Sequence, residues 1–181
     1  STDEVYGSIT EGSWDETEPL LPNSPYAASK ASSDLLARSY ARTYGLDVRI
    51  TRCSNNFGIY QYPEKVIPLF IKLLKEDLKL TIQGDGSNVR GFLHVSDVCN
   101  AFELILEKGI VGEIYNIGTH DEYTVIEIAQ ILVKYIKCTD EYQSYIRFIP
   151  DRPFNDSRYF ISNKKLKDLG WEIKIDFLDG I

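Results

Sequence analysis

The sequence has few cysteines, and they form neither a disulfide pattern nor a metal-binding pattern. Cys53, Cys99 and Cys138 are odd in number and far apart. This spacing excludes the disulfide framework of a small secreted domain, and it lacks the close cysteine pairs of zinc sites. His94 and His120 have no partner at metal-ligand spacing either. We therefore expect reduced thiols, two structural histidines and no bound metal.

The sequence also lacks an excess of positive charge and any long apolar run. Its formal net charge is −7, and its densest basic cluster is Lys164-Lys165 with Lys167, which is too small for a nucleic-acid surface. No apolar stretch approaches the roughly 20 residues of a membrane-spanning helix, and the first residues lack the pattern of a signal peptide. We predict a cytoplasmic protein that binds neither nucleic acid nor membranes.

Internal repeats are absent as well, and the chain instead alternates helix and strand patterns. Ser24-Pro25 and a following Ala- and Leu-rich run that stops at Gly45 predict a helix over 26–44. Strands followed by helices predict an α/β fold with a largely parallel sheet, and very short strands from Leu80 onward favour a smaller second lobe. The other predicted helices are 63–75, 96–108, 124–137 and 163–169, and the predicted strands are 47–53, 80–83, 92–95, 114–117 and 146–149.

Tyr26 and Lys30 lie four residues apart on the first predicted helix, so their side chains share one face about 5–6 Å apart at Cβ. An ammonium group that close favours the phenolate and would lower the pKa of Tyr26 toward that of a useful general base. Such pairs also arise by chance on exposed helix faces. The spacing alone is compatible with a catalytic pair and with two surface side chains.

The segment Thr2-Asp3-Glu4 offers a hydroxyl and two neighbouring carboxyl groups. Two carboxyl groups in different environments can divide into an acid and a base, which is what an elimination reaction requires. The same residues also suit a solvated chain end. Burial and charge decide between the two interpretations, and both depend on the folded structure.

Two further groups of polar residues are candidates for ligand binding. Arg52-Cys53-Ser54-Asn55-Asn56 lies at the end of a predicted strand, where open α/β sheets bind ligands, although an Asn-rich turn has the same composition. Four scattered basic side chains could neutralise a diphosphate or simply face water: Lys65, Arg90, Arg152 and Arg158.

Taken together, the motifs resemble the nucleoside-diphosphate-glucose 4,6-dehydratases of the extended short-chain dehydrogenase/reductase family. The resemblance runs over essentially the whole chain and implies the second half of a Rossmann-type doubly wound parallel sheet with a small mixed α/β lobe. It rests on Ser1-Thr2-Asp3-Glu4-Val5-Tyr6-Gly7, Ser24-Pro25-Tyr26-Ala27-Ala28-Ser29-Lys30, Thr51-Arg52-Cys53-Ser54-Asn55-Asn56-Phe57-Gly58, Tyr62-Pro63-Glu64-Lys65-Val66-Ile67-Pro68, Gly84-Asp85-Gly86 with Arg90, Tyr115-Asn116-Ile117-Gly118, and Asp151-Arg152-Pro153 with Asp156, Arg158 and Tyr159.

The resemblance implies a three-step reaction with one tightly held NAD. Tyr26, helped by Lys30 and Thr2, would take the proton from the sugar hydroxyl at carbon 4 while hydride passes to NAD. Glu4 would then remove the proton at carbon 5 while Asp3 protonates the leaving hydroxyl at carbon 6, and hydride would return to carbon 6. The implied product is a 4-keto-6-deoxy sugar nucleotide. Related 4-epimerases typically lack the Asp-Glu pair.

The resemblance also implies which residues bind the ligands. Tyr26, Lys30 and Asn56 would contact NAD. The residues implied to hold the nucleotide sugar are Thr2, Asn55, Lys65, Val66, Gln83, Arg90, Arg152, Asn155 and Tyr159.

The identity of the nucleotide base stays open between thymidine, the family default, and uridine. Thr81-Ile82-Gln83 stands where thymidine-linked enzymes usually have Pro-x-Tyr, and Val125 replaces a usual Asn. Phe154-Asn155 replaces a Gly-His pair, and the sequence from Arg152 to Phe160 resembles the dehydratase portion of UDP-rhamnose synthases.

The Gly-rich strand-turn-helix that receives the pyrophosphate of NAD in this family is not found in the sequence. Gly84-Asp85-Gly86 lacks both a third glycine and a following helix pattern. We therefore expect residues 1–60 to be the C-terminal part of an NAD-binding Rossmann domain whose N-terminal part lies outside this chain. Residues 61–181 would be mainly a substrate-binding lobe, with 91–118 returning to the Rossmann sheet.

On this interpretation the chain alone would bind NAD weakly and be inactive, and the full-length protein would be a homodimer. Two alternatives stay open. A UDP-sugar 4-epimerase would share most of the motifs, although the Asp3-Glu4 pair argues against it. A non-catalytic nucleotide-sugar-binding fragment would explain the missing cofactor motif.

Overall fold

Helices and strands alternate along the chain in the computed structural model, which describes residues 1–181. Two short 3-10 helices span Asp3–Tyr6 and Tyr142–Tyr145. The α-helices are α1 (Pro25–Tyr44), α2 (Val66–Lys75), α3 (Val95–Lys108), α4 (Val125–Lys137), α5 (Lys164–Asp168) and α6 (Phe177–Gly180). The strands are β1 (Ile50–Cys53), β2 (Asn55–Phe57), β3 (Leu80–Gln83), β4 (Val89–His94), β5 (Ile114–Ile117), β6 (Glu122–Thr124) and β7 (Ile146–Ile149). None of the helices combines the length and the apolar composition that crossing a membrane requires.

The pairs β1–β5, β2–β4 and β3–β7 are all parallel, which confirms the predicted α/β class with parallel sheets. Strand β1 pairs with β5, with Ile50 opposite Ile114 and Arg52 opposite Asn116. Strand β2 pairs with β4 in a sheet of order β2-β4-β6, and β3 pairs with β7. Parallel neighbours need a crossover connection, and the helices between them supply it.

The helix ends follow the capping residues of the sequence. The Ser24 hydroxyl accepts a hydrogen bond from the Ala27 amide at 3.1 Å, Pro25 occupies the first turn, and Gly45 ends α1 in the left-handed conformation at φ 67°. Helix α4 begins with a capping box, in which Thr124 and Glu127 are bonded reciprocally.

Several strand and helix boundaries differ from the prediction. The first strand begins at Ile50 rather than at 47, and α2 begins at Val66 rather than at 63 because Lys65 still has an extended backbone. Residues 55–57, predicted as a polar loop, form β2, because β4 supplies backbone hydrogen-bond partners that outweigh the weak strand propensity of asparagine. Strand β6 and helix α6 are too short to give a periodic pattern.

The chain divides into two compact units. The first unit comprises residues 1–58, 90–122 and 158–181, and the second comprises 59–89 and 123–157. Residues 158–181 therefore group with the first unit, whereas the sequence placed them with the second lobe. The main core of the first unit lies between α3, β4, β5 and α5 and consists of Leu93, Val98, Ala101, Ile105, Tyr115, Ile117, Leu166 and Trp171.

The second unit is built on helices α2 and α4, which pack against each other and against β3. Its buried apolar side chains recur at helical spacing on α2 and α4 and at alternate positions on β3, so the amphipathic patterns in the sequence face this core. They are Ile67, Phe70, Leu74, Leu80, Ile82, Ile128, Ala129, Leu132 and Val133.

Candidate active site

The 3-10 helix Asp3–Tyr6 holds the Thr2-Asp3-Glu4 segment at the end of the first unit's sheet. Thr2 forms a parallel bridge with Cys53 of β1. The Thr2 hydroxyl accepts a hydrogen bond from the Glu4 amide at 3.4 Å and donates one to Asp3 Oδ1 at 3.2 Å. Gly7 ends the turn at φ 82°, where a Cβ atom would lie only 2.6 Å from the Leu21 carbonyl oxygen. The segment is thus fixed at both ends.

Asp3 is buried, with 6% of its surface exposed. Burial, followed by the negative charge of Glu4, raises its pKa from 3.8 to about 7, against the opposing effects of the Thr2 hydroxyl and the Arg90 guanidinium. A carboxyl group with this pKa holds its proton for a large fraction of the time near neutral pH. It is therefore suited to donate a proton.

Tyr26 and Lys30 share one face of α1, as predicted, with Lys30 Nζ 5.7 Å from the centroid of the Tyr26 ring. The expected lowering of the Tyr26 pKa is wrong for this structure: partial burial, then Glu4 and then Asp3 raise it. The negative charge of both carboxyl groups opposes ionisation of the phenol. Helix α1 packs against the 3-10 helix that carries Asp3 and Glu4, so the two predicted groups of side chains lie on neighbouring elements.

Arg90 and Tyr159 lie together in the first unit. The guanidinium carbon of Arg90 lies 4.6 Å from the centroid of the buried Tyr159 ring, a cation–π arrangement. Asn55 and Asn56 are exposed on β2, where Asn55 is opposite Phe92 of β4. The catalytic and ligand-binding residues predicted from the sequence that lie in the first unit are Thr2, Asp3, Glu4, Tyr26, Lys30, Asn55, Asn56, Arg90 and Tyr159.

The second unit carries the remaining predicted residues, most of them exposed. Lys65 precedes α2 and its ammonium lies 3.5 Å from Glu64, while Val66 is half-buried. Arg152 donates a hydrogen bond to Asn155 Oδ1 at 2.9 Å, and Asn155 donates one to Asp151 at 3.2 Å. The Arg152–Asn155 contact joins two of the predicted substrate-binding side chains.

Strands β3 and β7 end at the same edge of the second unit, next to Arg152 and Asn155. Exposed Gln83 ends β3, and the Gly84 amide donates to the Ile149 carbonyl at 3.0 Å. A Cβ atom at Gly84 would lie 2.9 Å from Asp151 Oδ2. The Gly84–Gly86 segment is a turn that leads into β4 rather than into a helix, so it offers no helix N-terminus to a pyrophosphate.

Arg158 is bound within the protein and is not a free diphosphate ligand. Its guanidinium donates to both carboxylate oxygens of Glu122, at 2.7 and 2.6 Å, and to the Gly12 carbonyl. The hydrogen bond to Glu122 raises the pKa of Arg158. This bidentate pair removes Arg158 from the set of candidate phosphate-binding residues.

The two histidines have different surroundings. His94 accepts a hydrogen bond from the Ser96 amide at 3.3 Å and so caps α3. His120 lies with Asp121 and Asp176, and their possible ligand atoms are within 4.8 Å of one another. The side chains of His120 and Asp176 are more than half exposed, so the group lacks the enclosed, hydrogen-bonded surroundings typical of a protein metal site.

Sequence reasoning missed a buried polar group beneath the site. Asp34, Arg52 and Tyr6 are buried, and Arg52 donates hydrogen bonds both to Asp34 and to the Tyr6 hydroxyl. One signal was available: Asp34 follows Lys30 by one helical turn, so it lies on the same face of α1 as Tyr26 and Lys30. Arg52, expected at a ligand crevice, instead points into the core.

The whole chain, residues 1–181, matches the family model of GDP-mannose 4,6 dehydratase. The chain belongs to this family. It is 48% identical over 182 residues to the dTDP-glucose 4,6-dehydratase of Streptomyces niveus, covering all of this chain and 53% of that enzyme. It is 46% identical over 184 residues to a trifunctional UDP-glucose 4,6-dehydratase of Arabidopsis thaliana, of which it covers 27%.

A solved structure agrees with this family assignment. The dTDP-glucose 4,6-dehydratase of Streptomyces venezuelae, crystallised with NAD, is 51% identical and superposes with a TM-score of 0.94 over 99% of this chain and 55% of that one. The family predicted from the motifs is thereby confirmed. The chain spans about half the length of the dTDP-glucose dehydratases it matches.

Proposed function

We propose that the complete polypeptide containing residues 1–181 dehydrates a nucleoside-diphosphate-glucose to the 4-keto-6-deoxy sugar nucleotide. The observation that carries this proposal is the environment of Asp3. Its pKa of about 7, beside Glu4 and near Tyr26, provides an acid and a base in adjacent positions. Elimination of water requires both, one at the leaving hydroxyl and one at the neighbouring carbon.

The remaining side chains of the site have roles that follow from their positions. Tyr26 takes the proton of the hydroxyl at carbon 4, and the Lys30 ammonium lies on the same face of α1, 5.7 Å from the centroid of the Tyr26 ring. Thr2 holds Asp3 through its 3.2 Å hydrogen bond. Glu4 removes the proton at carbon 5 once carbon 4 has become a ketone, and Asp3 protonates the hydroxyl that leaves carbon 6.

The cofactor of the proposed reaction is NAD, which is bound in the Streptomyces venezuelae structure. The residues present fit it: Tyr26 is 51% exposed, and the polar ends of Lys30 and Asn56 offer hydrogen-bonding groups to a ribose and a nicotinamide. NAD would supply the acceptor of hydride from carbon 4 and its donor to carbon 6. Tyr26, Lys30 and Asn56 would hold it.

We assign cofactor binding to the first unit and nucleotide-sugar binding mainly to the second. Lys65 and Arg152 can pair with a diphosphate, because both are exposed cations in the second unit. Thymidine is the first choice of base, since the dehydratases of both Streptomyces species are named for dTDP-glucose. Uridine follows closely, because the Arabidopsis enzyme at 46% identity is named for UDP-glucose.

We also propose a homodimer through α1 and a cytoplasmic location. Helix α1 exposes Leu35, Leu36, Tyr40 and Tyr44, each at least half exposed, and an apolar patch of this kind suits a protein interface. All three cysteines are free, as is usual in a reducing compartment.

A 4-epimerase is the second candidate enzyme, and a non-catalytic nucleotide-sugar binder is the third. An epimerase has no leaving hydroxyl to protonate, so it has no use for a buried acid beside Glu4. A binder would have no use for the Tyr26-Lys30 pair.

The direct test is to supply the complete polypeptide with NAD and either dTDP-glucose or UDP-glucose. A 4-keto-6-deoxy product from one of them is expected. Release of the 4-epimer without loss of water would favour the epimerase, and calorimetric binding of the nucleotides without turnover would favour the binder.

Glu4→Gln tests the role of the base. Removing the carboxylate should leave carbon 4 oxidation largely intact and block elimination, so the variant should reduce NAD in a single turnover without forming keto-deoxy product. Keto-deoxy product at the wild-type rate would contradict the assignment.

A further inference from the structure

Beneath the candidate site, a chain of buried polar side chains joins the two elements that carry the acid and base groups. Arg52 Nε donates to Asp34 Oδ2 at 2.9 Å, and Arg52 Nη1 donates to the Tyr6 hydroxyl at 2.7 Å. The Tyr6 hydroxyl donates in turn to Asn116 Oδ1 at 2.9 Å. We call these four residues, Tyr6, Asp34, Arg52 and Asn116, the buried network.

The members of the buried network belong to different structural elements. Asp34 lies on α1, one turn beyond Lys30 and two turns beyond Tyr26. Tyr6 is the last residue of the 3-10 helix that carries Asp3 and Glu4. Arg52 and Asn116 are directly opposite each other on β1 and β5.

The buried network is shielded from water, so its geometry is set by the protein alone. The side chains of Arg52 and Asp34 are 2% and 4% exposed, and Tyr6 is 1% exposed. The guanidinium of Arg52 is a rigid planar group. Its Nε atom donates to Asp34 and its Nη1 atom donates to Tyr6. Moving the 3-10 helix relative to α1 would break a hydrogen bond that no water can replace.

We propose that Tyr6, Arg52 and Asp34 are positioning residues that hold the Asp3-Glu4 pair in register with the Tyr26-Lys30 pair, an inference that rests on the proposed dehydratase function. Oxidation at carbon 4 needs only the groups on α1 and Thr2. Elimination also needs Asp3 and Glu4 at the correct distance from the same sugar. The buried network therefore affects elimination more than oxidation, because an error of about 1 Å in the placement of catalytic groups can cost about a hundredfold in rate.

Tyr6→Phe is the informative variant, because it keeps the buried ring and removes only the hydroxyl that links Arg52 to Asn116. Tyr115→Phe is the matched control: Tyr115 is also 1% exposed in the first unit, and its hydroxyl accepts a hydrogen bond from the Ile110 amide at 2.8 Å, outside the network. Arg52→Lys is a second variant that keeps the charge beside Asp34 but cannot reach both partners.

The first measurement is turnover by the complete polypeptide. The absorbance of reduced nicotinamide is recorded during the reaction. In Tyr6→Phe and Arg52→Lys we expect kcat to fall about ten- to a hundredfold, KM to change less than about threefold, and more reduced nicotinamide to accumulate during turnover. Tyr115→Phe should change neither kcat nor this accumulation by more than about twofold, even where it lowers the unfolding temperature equally. Equal behaviour of Tyr6→Phe and Tyr115→Phe would overturn the inference.

The second measurement does not depend on activity and so separates this inference from the proposed function. Carboxyl-carbon NMR of the complete polypeptide follows the titration of Asp3. Tyr6→Phe should shift the Asp3 midpoint by at least about half a pH unit, since a displaced carboxyl group changes its burial and its distance from Glu4. Tyr115→Phe should not shift it. If the wild type turns over neither sugar nucleotide, the proposed function fails while this titration still decides whether the buried network positions Asp3; an unshifted midpoint in Tyr6→Phe would refute it.

Discussion

The two units of this chain use polar side chains in opposite ways. In the first unit the candidate acid Asp3 and its supporting side chains Tyr6, Asp34 and Arg52 are buried and hydrogen-bonded. In the second unit Lys65, Gln83 and Arg152 are exposed. Burial shifts pKa values and fixes geometry, as acid–base chemistry requires, whereas exposed cations keep their charge and can be desolvated by an arriving anion. This difference supports our proposal that the first unit performs the chemistry and that the second provides most of the nucleotide-sugar binding.

We expect the largest effect from replacing the buried acid of the first unit, Asp3. Asp3→Asn keeps the shape of the side chain but cannot donate the proton, so we expect kcat to fall by about 10²- to 10⁴-fold, the range for loss of an acid–base group. Steady-state assay of the complete polypeptide measures this. The exposed Asp85→Asn is the control in the second unit, and an equal loss there would show that burial is not what distinguishes the two units.

Stability as a function of pH tests the burial of Asp3 independently of activity. Its pKa in the folded protein, about 7, is above the ordinary 3.8 of an aspartate, so the folded state holds the proton more tightly. The free energy of unfolding should therefore fall as pH rises from about 4 to about 7, and then level off with respect to this group.

Asp3→Asn should remove this decline and make the protein more stable than the wild type above pH 7, by about 2–4 kcal/mol. Denaturant unfolding at pH 5 and pH 8 measures the difference. Parallel stability curves for wild type and variant would mean that Asp3 is ionised in the folded protein at neutral pH.

Arg152→Ala tests whether an exposed cation of the second unit binds the nucleotide sugar. We expect KM for the nucleotide sugar to rise about tenfold, as befits the loss of one charge-assisted contact, while kcat stays within about threefold. Initial-rate measurements separate the two parameters. Lys134→Ala, which removes a different exposed cation of the second unit, should leave KM unchanged; a loss confined to kcat in Arg152→Ala would place Arg152 in the chemical step.

The smallest expected effect concerns the structural part of the second unit. Thr124 caps α4, its hydroxyl accepting from the Glu127 amide at 3.1 Å, so Thr124→Ala should cost about 1 kcal/mol of stability. Denaturant unfolding measures this, and Thr124→Ser should restore most of it. The Asp3 titration should be unaffected, and a shifted midpoint would show that the two units do not behave independently.

Local rules of the sequence determined much of the fold. Ser24, Pro25 and Gly45 define helix α1, and Thr124 with Glu127 begins α4, because capping depends on residues within one turn. The strands 80–83, 114–117 and 146–149 have the predicted bounds. The motifs also identified the family, because they occur in characteristic order and spacing along the whole chain.

Other features depended on contacts between residues far apart in the chain. Strand β2 exists because β4 pairs with it, and Arg158 is bound by Glu122, which lies 36 residues away. The predicted effect of Lys30 on the pKa of Tyr26 was wrong because the sequence could not show the partial burial of the phenol or the opposing charges of Glu4 and Asp3.

The sequence by itself determined that a hydroxyl, two carboxyl groups, a phenol and an ammonium were available, and which helix carries the last two. Only the tertiary structure decided that Asp3 is buried with its pKa raised to about 7, and that Tyr6, Arg52 and Asp34 link the 3-10 helix to α1. The physical reason is that burial and electrostatic interaction are properties of assembled surroundings. A residue type supplies the functional group, and the fold supplies its pKa and its position.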